Sequence, residues 1–309
     1  MDTMSESYWQ NIRSTGMEVP ADRPLGDLTA DLVSMLGAPE PRLREELAYP
    51  LLATWLHRGV YDHLLTGLGD GIVSGLAYGL GRNGDSSVIR RSYSALMLAE
   101  IVGRDNDVHL MPASSVLAWG DAATSWYVRE FDHRGWIAEM GWAQAIAHGA
   151  DLLAALARSR HFGKLELTVL LDVVADRVLA PTTYVWRHGE DDRLAYAVMT
   201  LLHRNALDTS LVEPWLARLG AGLQPPPTRG HLAAEWPTSE ARNTSAFLRA
   251  LHLQLALGVQ GRPDLRGDAE LFAEQPAGRA DLILAVLDQI RAESPWLYRP
   301  TSRTPVPQP

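Results

Sequence analysis

The chain has 309 residues, of which 46% are hydrophobic and 21% are charged, proportions typical of a globular protein with a sizeable core. Its formal net charge of -9 argues against a nucleic-acid partner, because binding to a phosphate backbone depends on an excess of Lys and Arg. The chain contains no cysteine, which excludes disulfides, thiolate zinc sites and cysteine nucleophiles.

The first residues and the least charged stretch lack targeting and membrane signals. The start, MDTMSESYWQ, is polar and acidic, so it is not expected to be a signal peptide. The stretch from Gly67 to Gly81 carries Asp70 and several glycines, and it falls short of the roughly 20 apolar residues that a membrane span needs. We therefore expect a cytoplasmic protein with no membrane partner.

Apolar residues recur at helical spacing through most of the chain, and Gly, Pro, Asp and Asn separate the periodic segments. Extended alternation of the β type is not evident. The predicted helices cover approximately residues 27–35, 39–59, 61–80, 87–102, 112–131, 142–157, 165–180, 190–203, 210–219, 239–257 and 279–292.

These helices predict a single all-α domain over residues 1–309. Helix pairs of about 40 residues are typical of HEAT-like repeats, so we predict irregular antiparallel pairs that form a curved α-solenoid, with a compact helical bundle as the alternative. The proline-rich residues 221–236 are interpreted as a linker, residues 237–293 as C-terminal helices and residues 294–309 as a disordered tail. A solenoid would present a concave surface for binding.

The segment GWAQAIAHGADLLAALA, residues 141–157, is the most informative part of the sequence. Gln144, His148 and Asp151 recur at i, i+4 and i+7, opposite an apolar stripe and among small residues that would let another chain or a ligand approach closely. They could form a buried contact between helices, a binding or catalytic surface in which His148 titrates near neutrality, or part of a metal site. A metal site needs further ligands, so neither a metal nor a cofactor is predicted.

Two further segments carry clustered charges. The run REFDHRGW contains Glu130, Asp132 and Arg134 beside a histidine, which is either a general acid–base set or a network that caps a helix end. Arg91 and Ser94 share one flank of the helix predicted at 87–102. They could hold an anion, although a salt bridge from Arg91 to Asp132, or to the helix predicted at 190–203, is the simpler interpretation.

Five segments occur in the same order as in a known bacterial family, namely YWQNIR, RRSYSALMLAEI, EFDHRGW, GWAQAIAHGADLL and EDDRLAYAV. Over about residues 8–219 the chain resembles the family catalogued as domain of unknown function 2785 (DUF2785). The resemblance implies a helical-repeat core at 8–220 and no established activity. Members often carry His at the position of Gln144, where an HxxxH pair would suit a metal. The residues that match the family's two motifs are His148, Asp151, Asp132, Arg134 and Gly135.

The first functional hypothesis is a helical-repeat binding protein that captures a small molecule, a peptide or a partner protein. Its site would be a concave polar surface lined by the helices predicted at 87–102, 142–157 and 190–203. Tryptophans near these motifs could be aromatic anchors, or they could belong to the core. The candidate binding residues are Arg91, Ser94, Arg134, Trp136, Trp142 and Gln144.

The second hypothesis is an acid–base enzyme, a lyase, cyclase or hydrolase. In it His148 carries the proton, Asp132 or Asp151 orients the imidazole, an arginine holds an anion, and Glu130 is a further catalytic candidate. It requires these side chains to converge in one pocket. The third hypothesis, a structural scaffold, instead predicts a large exposed apolar patch and no pocket.

Overall fold

The computed structural model of the chain describes residues 4–225, 236–261 and 267–298. The α-helices of these residues are numbered α1 to α13. The first six are α1 Glu6–Ser14, α2 Leu25–Met35, α3 Tyr49–His57, α4 Leu65–Val73, α5 Ser87–Val108 and α6 Ala113–Arg129. The others are α7 Ala145–Arg158, α8 Lys164–Leu179, α9 Glu190–His203, α10 Thr209–Ala221, α11 Ser239–Leu257, α12 Asp268–Leu271 and α13 Arg279–Glu293.

The all-α class is confirmed, with three local differences from the predicted helices. Trp136–Ile137 and Gly141–Trp142 pair as a short antiparallel hairpin, β1 and β2, so α7 begins three residues later than predicted. The helix predicted at 39–59 divides into a π-helical segment, Arg42–Ala48, and α3. The one predicted at 61–80 is α-helical only in α4, because its many glycines weaken the helix.

The helices pack in two rows. In one row α3, α5, α7, α9 and α11 are neighbours in that order, and in the other α4, α6, α8 and α10 are neighbours. At the C-terminal end α13 packs on α10 and α11. The predicted linker at 221–236 begins at the last residue of α10, and its residues 226–235 lie outside the described residues, as do residues 299–309 of the predicted tail.

Helices α5 and α7 run in the same direction. Ser92 near the start of α5 contacts His148 near the start of α7, and Asn106 near the end of α5 donates to the Ala155 carbonyl near the end of α7. As a result, the two helices lie side by side with the same polarity.

The small residues of α7 accommodate a neighbouring helix of the same chain. A Cβ atom on Gly149 would lie 2.1 Å from Cε2 of Tyr127, a buried side chain of α6. The Tyr127 hydroxyl donates to the Ile146 carbonyl at 2.7 Å, which holds the ring against α7. The close approach expected from the alanines and glycines of this segment is therefore made at Gly149 by α6.

We expect Gly149→Ala to lower the free energy of unfolding by about 1–3 kcal/mol, although alanine is the better helix former, because the Tyr127 ring has to move in a packed core. The matched control is Gly103→Ala in α5, where an added Cβ meets no heavy atom within 4 Å. It should raise the free energy of unfolding by about 0.5–1 kcal/mol. Urea denaturation measures both, and a shift of the same sign in the two variants would contradict this packing.

Candidate functional site

Arg91 and Glu130 form a salt bridge in the protein interior. Nε of Arg91 donates to Oε2 of Glu130 at 2.5 Å and Nη2 donates to Oε1 at 2.9 Å, with both side chains fully buried. Glu130 also accepts from the Trp126 indole at 3.0 Å and from the Asp132 backbone N–H at 3.0 Å. The partner of Arg91 is therefore Glu130, and the predicted salt bridges to Asp132 and to α9 are wrong.

Asp132 and Arg134 form a second pair in the same segment. Nε of Arg134 donates to Oδ1 at 2.8 Å and Nη2 donates to Oδ2 at 2.6 Å. The Gly84 N–H also donates to Asp132, and Arg134 donates to the Asp85 carbonyl. These bonds connect the segment after α6 to the turn before α5. Asp132 and Arg134 thus have partners in that turn. Asp132, one of the two carboxylates that the acid–base hypothesis offered to orient His148, makes no hydrogen bond to it, because Nδ1 of His148 contacts Ser92.

The other predicted binding residues are spread over different surfaces. Ser94 is buried against Gly75, on the side of α5 that faces the 3-10 helical segment Ser74–Ala77 after α4. The backbone of Gln144 has a left-handed conformation, with φ of 52°. Gln144 therefore lies just before α7 and does not share a face of that helix with His148. Trp136 and Trp142 pack edge to face on the hairpin, with ring centroids 4.9 Å apart.

A pocket of about 530 Å³, the central pocket, opens on the row formed by α3, α5, α7 and α9. It includes neither Trp136 nor Trp142, nor Arg91, Ser94 or Glu130. From α5 it is lined by Leu96, Ala99, Glu100, Gly103, Arg104 and Asp107. From α7 it is lined by His148, Asp151, Ala154, Ala155 and Arg158. The lining residues of α5, from Leu96 to Asp107, span roughly 16 Å at 1.5 Å per residue, so the pocket is elongated along the helices.

His148 lies at the end of the central pocket nearest the start of α7 and is 4% exposed. Its Nδ1 is 2.8 Å from the Ser92 hydroxyl oxygen, and that hydroxyl donates to the Ala143 carbonyl. The ring packs edge to face on Tyr93, at a centroid distance of 5.3 Å. Burial and, next, the charge of Arg193 lower the pKa of His148 well below its usual value. The imidazole is therefore neutral at pH 7, and the expectation that it titrates near neutrality is wrong.

Asp151, the second predicted residue in the central pocket, pairs with Arg193 of α9. Nε of Arg193 donates to Oδ1 at 2.9 Å, and its Nη2 pairs with Oδ2. The carboxylate thus links α7 to α9 and does not orient His148, whose Nδ1 partner is Ser92.

A third ionisable cluster, which the sequence did not reveal, lies in the central pocket on the side of α3, away from Asp151 and Arg193. Nε2 of His57 in α3 is 3.1 Å from Oε2 of Glu100 in α5, and the Tyr49 hydroxyl donates to Oε1 of Glu100 at 2.7 Å. The hydrogen bond to Glu100 raises the pKa of His57. The sequence signalled this cluster only through charged residues that recur on one side of α5, namely Glu100, Arg104 and Asp107. No spacing rule connects residues on separate helices, so the contact with α3 could not be predicted.

A second pocket, of about 480 Å³, lies between α2 and α4 and is mostly apolar. It holds none of the predicted site residues. Within the described ranges, no three His, Asp or Glu side chains are grouped closely enough to hold a metal ion. None of the helices in those ranges combines the length and the apolar character of a membrane span.

The two rows of helices and the central pocket define an all-α protein with a charged cavity on one row. The family described as "Protein of unknown function (DUF2785)" matches residues 76–253, more than half of the chain, and the chain belongs to this family. The matched region extends into α11, beyond residue 219, and includes α5, α7 and α9 but not α3. No curated protein and no solved structure matches the chain.

Proposed function

We propose that this chain is a helical-repeat binding protein that captures a small polar molecule in the central pocket. The observation that carries the proposal is the pocket itself, because a purely structural scaffold needs none. Its volume of about 530 Å³ falls within the range of small-molecule sites. The absence of cysteine fits a cytoplasmic place of action.

The shape of the central pocket favours a small molecule over a partner protein. Small residues of α5 and α7, including Gly103 and Ala154, leave space between side chains that carry charge. Glycine within a helix costs about 0.5–1 kcal/mol relative to alanine. At Gly103 a Cβ would meet no heavy atom within 4 Å, so internal packing among the described residues gives no reason for it. A ligand that fills this space supplies one.

The experiment is a screen of small polar fragments by ligand-observed NMR, repeated on two variants. Fragments that compete with one another bind at one shared site. Gly103→Phe projects a ring into the central pocket and should abolish the binding of these fragments. Gly67→Phe is the matched control, because Gly67 is also helical and open but lines the apolar pocket. Fragments that bind Gly103→Phe as well as the unmodified chain, or a screen without fragments that bind, would contradict the proposal.

A second candidate function, acid–base catalysis, is favoured by one observation. His57 and His148 line the same pocket, and their surroundings move their pKa values in opposite directions. Such a pair suits a proton donor and a proton acceptor. In this mechanism His57, paired with Glu100, is the proton donor and His148 is the proton acceptor. Asp132 and Arg134 pair with each other and take no part.

Hydrogen exchange distinguishes catalysis from binding. Fragments from the screen that carry a C–H bond next to a carbonyl are incubated with the protein in D₂O and followed by NMR. If the chain is a catalyst, the unmodified protein should exchange that hydrogen for deuterium faster than the variant His148→Gln does. A binding protein would give equal rates with the two proteins.

A further inference from the structure

We propose that the ligand of the central pocket donates a hydrogen bond to Nε2 of His148, and that it therefore carries an alcohol hydroxyl or an ammonium group there. This inference rests on the proposed binding function and specifies the chemical class of its ligand. It assigns His148 the role of a hydrogen-bond acceptor, whereas a protonated histidine would favour a carboxylate or a phosphate.

The hydrogen bonds of Ser92 determine the tautomer of His148. The Ser92 hydroxyl has one hydrogen, and it donates that hydrogen to the Ala143 carbonyl. Its oxygen can then only accept in the contact with Nδ1 of His148. Nδ1 therefore carries the ring proton, and in the neutral imidazole Nε2 is left with a lone pair.

Nε2 is the ring nitrogen of His148 that is available to a ligand in the central pocket. The ring is buried, one edge contact is made with Tyr93, and Nδ1 is used by Ser92. His148 nevertheless lines the central pocket, and no hydrogen bond to Nε2 is made within the described residues. The polar atom that the ring offers to a ligand is consequently Nε2.

The charges around the ring disfavour its protonation. Arg193 from α9 and Arg44 from the π-helical segment both disfavour a proton on His148. The nearest carboxylate on its own helix, Asp151, pairs with Arg193. Tyr93 faces the ring from α5 with its edge, and its pKa is raised to about 12, so it adds no charge at neutral pH. A neutral ring with a lone pair toward the cavity repels an anion and accepts from a donor.

The ring can be observed directly with protein labelled with ¹⁵N at histidine. A long-range ¹H–¹⁵N correlation should show His148 with Nδ1 protonated and Nε2 unprotonated at pH 7, and the pattern should persist at pH 6, where an ordinary histidine is mostly protonated. The variant His148→Gln assigns the signals by their loss. Three probes of equal length follow, namely butan-1-ol, butylammonium and butyrate. The alcohol or the ammonium ion should shift the Nε2 signal upfield, and butyrate should not.

Ser92 is the positioning residue in this arrangement. Ser92→Ala removes the hydroxyl that accepts the Nδ1 proton but keeps the Ser92 backbone, which also hydrogen-bonds the ring. A small share of the ring should therefore change to the Nε2–H tautomer, and the response to butan-1-ol should fall. The matched control is Ser245→Ala, which removes a buried serine that donates to Glu293 away from the pocket. That variant should leave the His148 spectrum unchanged.

Two results would overturn the inference. One is a protonated ring or an Nε2–H tautomer at pH 7, even if fragments bind in a way that Gly103→Phe abolishes. The other is a larger Nε2 shift with butyrate than with the alcohol and the ammonium ion. A different result would overturn the proposed function and not the tautomer assigned to His148. In that result Nε2 is unprotonated, but the probes bind Gly103→Phe as well as they bind the unmodified chain.

Discussion

Glu130→Ala is expected to lower the free energy of unfolding by about 3–5 kcal/mol, because it leaves the fully buried guanidinium of Arg91 without its carboxylate. The same substitution removes the acceptor of the Trp126 indole and of the Asp132 backbone N–H. Urea denaturation monitored by tryptophan fluorescence measures the change.

The control for this prediction is an exposed ion pair. Asp176 and Arg218 are joined at 2.5 Å, but each side chain is 46% exposed. Asp176→Ala should therefore change the free energy of unfolding by less than about 1 kcal/mol. If Glu130→Ala also lowers the free energy of unfolding by less than about 1 kcal/mol, Arg91 binds another partner or water in the variant. The buried salt bridge would then not be a major contribution to the stability of the fold.

The paired charges around Glu130 also support the central pocket. Arg91 is followed in α5 by Ser92, and the Asp132–Arg134 pair connects the next segment to the turn before α5. The Gly135 carbonyl of that segment accepts from the Ala143 N–H at 2.8 Å, and the Ala143 carbonyl accepts from Ser92. The charged motif, interpreted from the sequence as either an acid–base set or a helix-capping network, thus positions the Ala143 carbonyl that fixes the tautomer of His148.

Long periodic helices with clear ends were predictable from the sequence. The bounds predicted for α9 and α11 agree with the structure, because acidic residues or a capping threonine mark their starts. The hairpin before α7 was not predictable, since two strands of two residues each leave no alternation to detect. The π-helical segment has the same apolar spacing as the helix it precedes, and only packing selects its hydrogen bonds.

For the candidate site, the sequence identified side chains but not their partners. His148 and Asp151 stood out because they are polar residues in an alanine-rich helix, and both line the central pocket. Ser92 and Arg193, which bind them, look like ordinary residues of α5 and α9. Their roles depend on which helices become neighbours in a row, and that is decided by the packing of the whole chain.

Acidification from pH 7 to pH 5 is expected to destabilise the protein through its buried neutral histidines. Burial and, next, the charge of Arg177 lower the pKa of His133 to about 3. In the unfolded chain a histidine titrates near 6.5. Between these two values the unfolded state binds a proton that the folded state does not, so stability falls as the pH falls. His133 alone should cost about 2 kcal/mol at pH 5.

Other histidines modify this dependence in known directions. The pKa values of His148 and His203 are also lowered, first by burial, and they add to the loss. The pKa of His57 is raised, so its contribution is present at acid pH and is lost as the pH rises. That opposing contribution is small, because the His57 side chain is 54% exposed. The net expectation is therefore a protein less stable at pH 5 than at pH 7.

The variant His133→Leu tests the assignment. Neither ring nitrogen of His133 has a hydrogen-bond partner among the described residues, so leucine removes a titrating group without breaking a bond there. Urea denaturation at pH 7 and pH 5 should show a pH-dependent loss smaller by about 2 kcal/mol than in the unmodified chain. The exposed His63 provides the control, and His63→Leu should leave the loss unchanged. If His133→Leu also leaves it unchanged, His133 takes up a proton in the folded state, and the segment around Asp132 is open to water at pH 5.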